Sequence, residues 1–290
     1  MTHNIDKILE NLGIFQSVTN VAPFAAFEDD SYYDVWLVEC GDARYVLKPC
    51  KNFEAQIYSA FFSGNVSYAP RLLAKTDLDG QGYILMEYAP GEAVMRFDRP
   101  SLIKAIDALV CLQNDNWNTT DSGRLGFDFE KALEHRISRG KYLLDDELEA
   151  AYADFLEQFK SLPRTLCHDD LLPFNVLVSD TKATIVDWEL AGVLPYPTSF
   201  ARLIAHCEES DDAFFYMKND DKAFAIEYYY EKLILDKGIP YVDFRRSLDL
   251  FLFYEYCEWI MLGNKYDDAD MDRFEQYTKK AKALIAQMNR

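Results

Sequence analysis

The apolar residues of this chain repeat with one period before residue 89 and with another after it. Up to Glu87 the runs are short and strand-like: Tyr33 to Glu39, Arg44 to Lys48, Arg71 to Lys75 and Gly82 to Glu87. Each is rich in β-branched or aromatic residues and bounded by Gly, Asp or Pro. One helical segment interrupts them, Asn52 to Phe62, where Phe53, Ile57, Ala60 and Phe61 share a face and Asn52 stands at the cap position. After Ala89-Pro90-Gly91 the pattern turns almost wholly helical. Ser101 is expected to cap a run to Gln113, followed by Phe129 to Leu144, Glu147 to Phe159, Thr198 to His206, Asp221 to Lys237, Tyr241 to Leu262 and Met271 to Met288. Two short strand-like pieces, Asn175 to Ser179 and Ala183 to Asp187, break that second part. The pattern predicts an α+β chain of two lobes: an antiparallel sheet lobe over 1–88, a Pro-Gly hinge over 89–92 and a larger, mainly helical lobe over 93–290. A cleft between such lobes is a favoured ligand site.

Composition narrows what that cleft could serve. With 49% hydrophobic and 27% charged residues in 290, the chain has the balance of a folded protein. No stretch approaches the ~20 apolar residues of a membrane span, and the first residues carry no signal-peptide pattern. The six cysteines form no C-x-x-C pair and no cluster with zinc-ligand spacing, so they read as reduced thiols and the expected location is the cytoplasm. A formal charge of −19 repels nucleic acid and anionic lipid, so neither is an expected partner. The same field favours a cationic partner, although acidic surfaces also serve solubility alone.

The chemistry concentrates between Leu166 and Glu189, LCHDDLLPFNVLVSDTKATIVDWE. Here H-x-D-x-x-x-x-N is met by His168, Asp170 and Asn175, and Asp187 follows twelve residues later. The two strand-like pieces flank the gap between Asn175 and Asp187, so a hairpin would bring both to one end. Three oxygen-bearing side chains then converge, which suits a hard cation such as magnesium together with a substrate hydroxyl. Phosphoryl transfer asks little else of a protein than charge neutralisation on the phosphates and an acceptor oxygen held in line. Asp170 would hold the acceptor hydroxyl and take its proton, Asn175 and Asp187 would ligate the metal, and His168 would brace the loop. The H-x-D-x-x-x-x-N pattern alone arises by chance about once in sixty such chains; Asp187, the apolar residues between and the position in the second lobe make coincidence rarer.

This segment resembles the catalytic core of the aminoglycoside phosphotransferase and choline kinase-like family, relatives of the protein kinases. The resemblance implies a two-lobed protein-kinase-like fold, ATP or GTP as donor, magnesium, and a small molecule with a hydroxyl as acceptor. Protein kinases are less similar: their H-R-D and D-F-G stand here as H-D-D and D-W-E, and no A-P-E follows. Two departures from the family stand out. Asp169 occupies a position commonly held by Gly, either as a residue tolerant of unusual backbone angles or as an extra carboxylate in the site. After Glu189 the chain reads Ala191-Gly192-Val193-Leu194-Pro195-Tyr196-Pro197, without the acid that relatives often carry in a G-D-P-like turn.

The resemblance also assigns parts to the first lobe, the nucleotide-binding one. Lys48, at the end of its strand, would contact the nucleotide phosphates and pair with a helix glutamate, Glu54. The phosphate-covering turn would be Asp29-Asp30-Ser31-Tyr32-Tyr33, which has no glycine but matches the family's frequent serine with Ser31. The backbone around Glu87 and Ala89 would hydrogen bond the adenine edge. Acceptor-binding residues are expected on the later helices, where acids and aromatics crowd: Glu208-Glu209 with Asp211-Asp212, Tyr254-Glu255-Tyr256 with Glu258-Trp259, then Asp267-Asp268 and Asp270. Carboxylates hold ammonium groups and aromatic faces hold quaternary amines, yet the same residues suit a core and a solvated face.

Three functions fit. One is a small-molecule hydroxyl kinase of the aminoglycoside phosphotransferase kind, conferring antibiotic resistance. Another is a metabolic kinase for choline, ethanolamine, a sugar or an amino alcohol. The third is a catalytically silent kinase fold that binds nucleotide or a partner. Asp170, Asn175, Asp187 and Lys48 together favour the first two, because a silent relative has no chemical reason to keep all four.

Overall fold

A computed structural model describes residues 5–26, 30–51, 53–120, 129–266 and 271–289. Its first part is a five-stranded antiparallel sheet of β1 (Asn20–Ala25), β2 (Tyr32–Cys40), β3 (Ala43–Pro49), β4 (Leu72–Leu78) and β5 (Gln81–Glu87), in the order β1-β2-β3-β5-β4. β1 carries Pro23 and a register shift, features of an edge strand that hid it from the apolar pattern. Alternation along β3 sends Leu47 to one face, where Val38, Tyr83 and Leu85 pack with Ile8 and Leu9 of α1 (Ile5–Asn11). Val46 and Lys48 point to the other face with Ile84 and Met86. That face meets Ile57 and Tyr58 of α2 (Glu54–Phe61). The proposed cap Asn52 lies outside the described residues.

The second part begins with β6 (Glu92–Ala93), followed by α3 (Arg99–Asp115), α4 (Phe129–Gly140) and α5 (Asp146–Ser161). Short strands β7 (Arg164–Cys167), β8 (Val176–Val178), β9 (Ala183–Ile185) and β10 (Gly192–Pro195) come next, then α6 (Pro197–Ala205). The chain continues through β11 (Cys207–Glu208), β12 (Phe215–Tyr216), α7 (Asn219–Tyr229), α8 (Tyr241–Tyr266) and α9 (Met271–Met288). The architecture is the two-lobed α+β arrangement expected. Asp98, rather than Ser101, caps α3: its carboxylate accepts the Ser101 N–H at 2.8 Å, and Ser101 Oγ in return accepts the Asp98 N–H at 3.0 Å. The start lies upstream of Ser101 because Pro100, which has no N–H to satisfy, fits the first helical turn. The expected Asp221 to Lys237 helix is not uniform; after α7 it widens to a π turn over Tyr230–Ile234, tightens over Leu235–Lys237 and stops at Gly238, whose φ is +72°.

Several contacts fasten the parts together. Ile185 N–H donates to the Tyr68 carbonyl at 2.8 Å, Lys182 Nζ donates to the Ser67 carbonyl at 3.1 Å, and the Phe62 ring meets Trp188 edge-on at 4.6 Å. The passage after β5 relies on a glycine. Gly91 has φ +137°, and a Cβ there would stand 2.8 Å from the Val178 carbonyl carbon and oxygen. Gly91→Ala is therefore expected to lower stability by about 2 kcal/mol and the thermal midpoint by ~4–8 °C; an unchanged midpoint would show that this approach is not tight.

Candidate active site

The β8–β9 hairpin builds the core of the site. Val176 pairs with Ile185 and Val178 with Ala183, while the Val186 N–H donates to the Asn175 carbonyl at 3.0 Å. Asn175 therefore lies across from Val186, and Asp187 follows one residue beyond. Asp187 adopts φ 66° and ψ 62°, a left-handed conformation that disfavours side chains other than glycine's by an energy of order 1–3 kcal/mol. Buried Trp188, whose Nε1–H donates to the Ile185 carbonyl at 3.0 Å, anchors the turn that follows.

β7 leads into His168, which has no exposed surface. Its backbone N–H donates to Ser199 Oγ at 2.8 Å, and Nε2 lies 2.8 Å from the Val186 carbonyl. A carbonyl only accepts, so the ring carries its proton on Nε2. The imidazole thus joins the loop to the residue before Asp187. Asn175 Nδ2 donates to the Asp170 carbonyl at 2.8 Å, which ties the two residues and leaves the amide oxygen as Asn175's remaining polar atom. The Asp170 carboxylate accepts on Oδ1 from Arg202 Nε at 3.1 Å and Nη2 at 2.7 Å.

Lys48 reaches this group from the first lobe. Its Nζ lies 3.1 Å from both Glu54 oxygens and 2.5 Å from Asp187 Oδ1. Burial pushes the Lys48 amine down, but Glu54 and Asp187 outweigh it and hold it above its ordinary value. One ammonium faces two carboxylates. Burial pushes fully buried Glu54 up to about 7 against the pull of Lys48, whereas at Asp187 burial is outweighed by Lys48, which holds the carboxyl below its usual range. Lys51 Nζ lies 3.6 Å from Glu189 beside this group.

The other expected residues are placed less tightly. Ser31 precedes β2, and its carbonyl accepts the Ala26 N–H at 3.0 Å; Asp29, in the same turn, lies outside the described residues. Glu87 ends β5 with its N–H on the Arg71 carbonyl at 2.9 Å, and Ala89 sits half-buried two residues on. Several of the acids expected to meet the acceptor have partners within the chain. Glu208 pairs with Lys280, Glu209 accepts the Asn219 N–H, Asp211 faces Arg96, and Glu255 and Glu258 face arginines. Tyr254 and Tyr256 are buried, Tyr254 donating to Glu258 at 2.6 Å. Asp267, Asp268 and Asp270 lie outside the described residues.

Asp169 resolves one of the two departures. Its backbone is not left-handed, so no special tolerance is used there. Its carboxylate meets Arg136 Nη2 of α4 at 2.5 Å, where Arg136 is 2% exposed and its guanidinium lies over the Phe159 and Tyr254 rings. The side chain therefore serves to tie the loop to α4. The acid-free stretch after Glu189 buttresses the loop through its backbone, as β10, with Gly192 opposite Cys167 and Leu194 opposite Thr165 of β7. Sequence reasoning missed Arg136 and Arg202. The signal at Arg202 is a lone arginine inside the apolar run Ser199-Phe200-Ala201-Arg202-Leu203-Ile204-Ala205, a pattern that demands a buried acid.

Residues 23–231 match the model of the phosphotransferase enzyme family. The chain belongs to that family. This phosphotransferase has no significant match among curated protein sequences, but its fold recurs in solved structures. A choline kinase from Cryptosporidium parvum is 15% identical with a TM-score of 0.61, over 99% of this chain and 97% of that one. An aminoglycoside phosphotransferase from Alicyclobacillus acidocaldarius is 14% identical with a TM-score of 0.60, over 94% and 92%. An amicoumacin kinase solved with AMP-PNP and Ca2+ is 12% identical with a TM-score of 0.60, over 99% and 96%. These likenesses establish a protein-kinase-like fold.

Removing one partner of a buried ion pair strands the other. Asp169→Ala is expected to destabilise by about 3–5 kcal/mol, and Asp169→Ala with Arg136→Met by clearly less. Equal losses for the single and double variants, measured by denaturant unfolding, would contradict the pairing.

Proposed function

We propose that this phosphotransferase moves the terminal phosphate of ATP or GTP, with magnesium, onto a hydroxyl of a small molecule. The observation that carries the reading is Lys48, held by Glu54 and touching Asp187, which joins β3 and α2 of one lobe to the hairpin of the other. Residues 1–88 would then hold the nucleotide, 89–92 act as hinge and 93–290 supply catalysis and the acceptor site. Ser31 would cover the phosphates, and the backbone at Glu87 and Ala89 would meet the adenine edge.

The donor set suits magnesium. Asp187, whose side chain is 41% exposed, and the Asn175 amide oxygen are hard oxygen ligands on neighbouring positions of the hairpin. Among the described residues no cluster of three or more His, Cys, Asp or Glu could cage a metal alone. Two protein oxygens leave an ion's other positions to waters and substrate phosphates, the habit of magnesium. When bound, the ion would neutralise charge on the phosphates. Lys48 would add a second positive charge there, and Glu54 would keep it aimed. Asp170 would accept the proton of the acceptor hydroxyl while the hydroxyl oxygen bonds to the terminal phosphorus and the nucleoside diphosphate leaves with the bridging oxygen; His168 would keep the loop on the hairpin.

The solved kinase with AMP-PNP and Ca2+ supports a nucleotide and a divalent cation. For the acceptor, the relatives' names offer aminoglycosides and choline, and a net charge of −19 draws cations of either kind. A panel of aminoglycosides, choline, ethanolamine and sugars, assayed with the nucleotide that stabilises the protein, separates resistance from metabolic function.

The nucleotide should raise the thermal midpoint only with magnesium present, and Asp187→Ala should abolish that dependence. Asp170→Ala should cut turnover by roughly 10²–10⁴-fold while the nucleotide-induced shift persists. Near-normal turnover in Asp170→Ala would remove Asp170 from the base role.

A further inference from the structure

Resting on that reading of Asp170, we propose that Arg202 is the positioning residue of the site: it fixes the Asp170 carboxylate by Oδ1 and leaves Oδ2 to the acceptor hydroxyl. Both Arg202 Nε and Nη2 point to the one oxygen, at 3.1 and 2.7 Å. A carboxylate held by two donors on one oxygen cannot spin about its Cβ–Cγ bond without losing both, and its second oxygen is thereby aimed. The remaining guanidinium nitrogen, Nη1, donates to Glu255 Oε2 at 2.8 Å and lies 3.8 Å from Glu258 Oε2. Glu258 in turn accepts from Arg139 and from Tyr254 at 2.6 Å, while Glu255 has His206 Nε2 at 3.5 Å.

Exposure follows a gradient along this chain of contacts. Glu255 is 4% exposed, Arg202 13% and Asp170 30%, so the clamp is buried at its root and open at the carboxylate. One helix holds two residues of the catalytic loop. Ser199 of α6 takes the His168 N–H, and Arg202, three residues on and so on the same helical face, takes the Asp170 side chain. Charge requires the clamp as well. Without Arg202, the carboxylates of Asp170 and Glu255 would face each other across the vacated space with no cation between them. Glu255 accordingly serves Arg202 rather than an ammonium group of the acceptor. A movable stand-in for a cationic acceptor fits the geometry poorly, because the guanidinium is tethered on its buried side to two α8 carboxylates.

The test is steady-state turnover of ATP with magnesium, with water or the best acceptor of the panel taking the phosphate, in Arg202→Lys, Arg202→Ala and Glu255→Gln. A lysine keeps the charge but cannot make the two-pronged contact and reach Glu255 together. Arg202→Lys should lower kcat by about 10²-fold with the KM for ATP within about twofold of wild type, the split that distinguishes positioning from loss of the nucleotide site. Methylguanidinium should restore part of the lost kcat in Arg202→Ala and none in Asp170→Ala. Should both Arg202 variants fail to fold, Glu255→Gln decides: it should lower kcat by ~3–10-fold, a fraction of the loss from misplacement, at unchanged KM. A folded Arg202→Lys with wild-type kcat, or a Glu255→Gln with wild-type kcat where no Arg202 variant folds, overturns the assignment. Turnover retained in Asp170→Ala would instead overturn the reading of the base itself.

Discussion

A lysine amine buried at the end of β3 has to be met by carboxylates, and this requirement organises the molecule. Lys48 is 6% exposed, and burial of an unpaired ammonium would drive it to its neutral form. Two carboxylates answer it from separate elements, Glu54 from α2 and Asp187 from the β8–β9 hairpin. Because Asp187 belongs to the second lobe, the same demand that keeps Lys48 charged also fixes how the lobes meet. The Phe62–Trp188 contact and the Ile185 to Tyr68 hydrogen bond join the same two lobes beside this ion pair, whose Lys48 end is buried and whose Asp187 end is open.

Around that contact the loop from His168 to Asn175 is held from several sides. β10 pairs with β7 behind it, α6 grips it through Ser199 and Arg202, α4 reaches Asp169 through Arg136, and His168 crosses to Val186. Each restraint comes from a different element, so the loop is set by the assembled fold rather than by its own residues. Rigid support of this kind is what positioning chemistry asks of a scaffold.

How much of this could be read beforehand follows from the range of each interaction. The strands β2 to β5 and the helix α2 were legible because their signals are local: alternation, β-branched residues and bounding glycines. The H-x-D-x-x-x-x-N spacing was legible for the same reason, since a tight turn and a hairpin fix it. Edge strand β1 was not, because Pro23 interrupts its pattern, and β7 and β10 are each four residues long and visible only as a pair. Arg136 and Arg202 were missed because their partners are distant in sequence; Arg202 and Glu255 are 53 residues apart. Asp169 read as an anomaly only while Arg136 was unseen.

The proposed function requires Lys48 and Asp187 to act as one assembled site for nucleotide and metal. A double-mutant cycle with Lys48→Met and Asp187→Asn, measured by calorimetric titration of magnesium nucleotide, addresses it directly. Each single variant should weaken binding at least ~10-fold, about 1.4 kcal/mol, and the double variant should be no worse than the weaker single. Losses that multiply, or singles that bind as wild type, would contradict it.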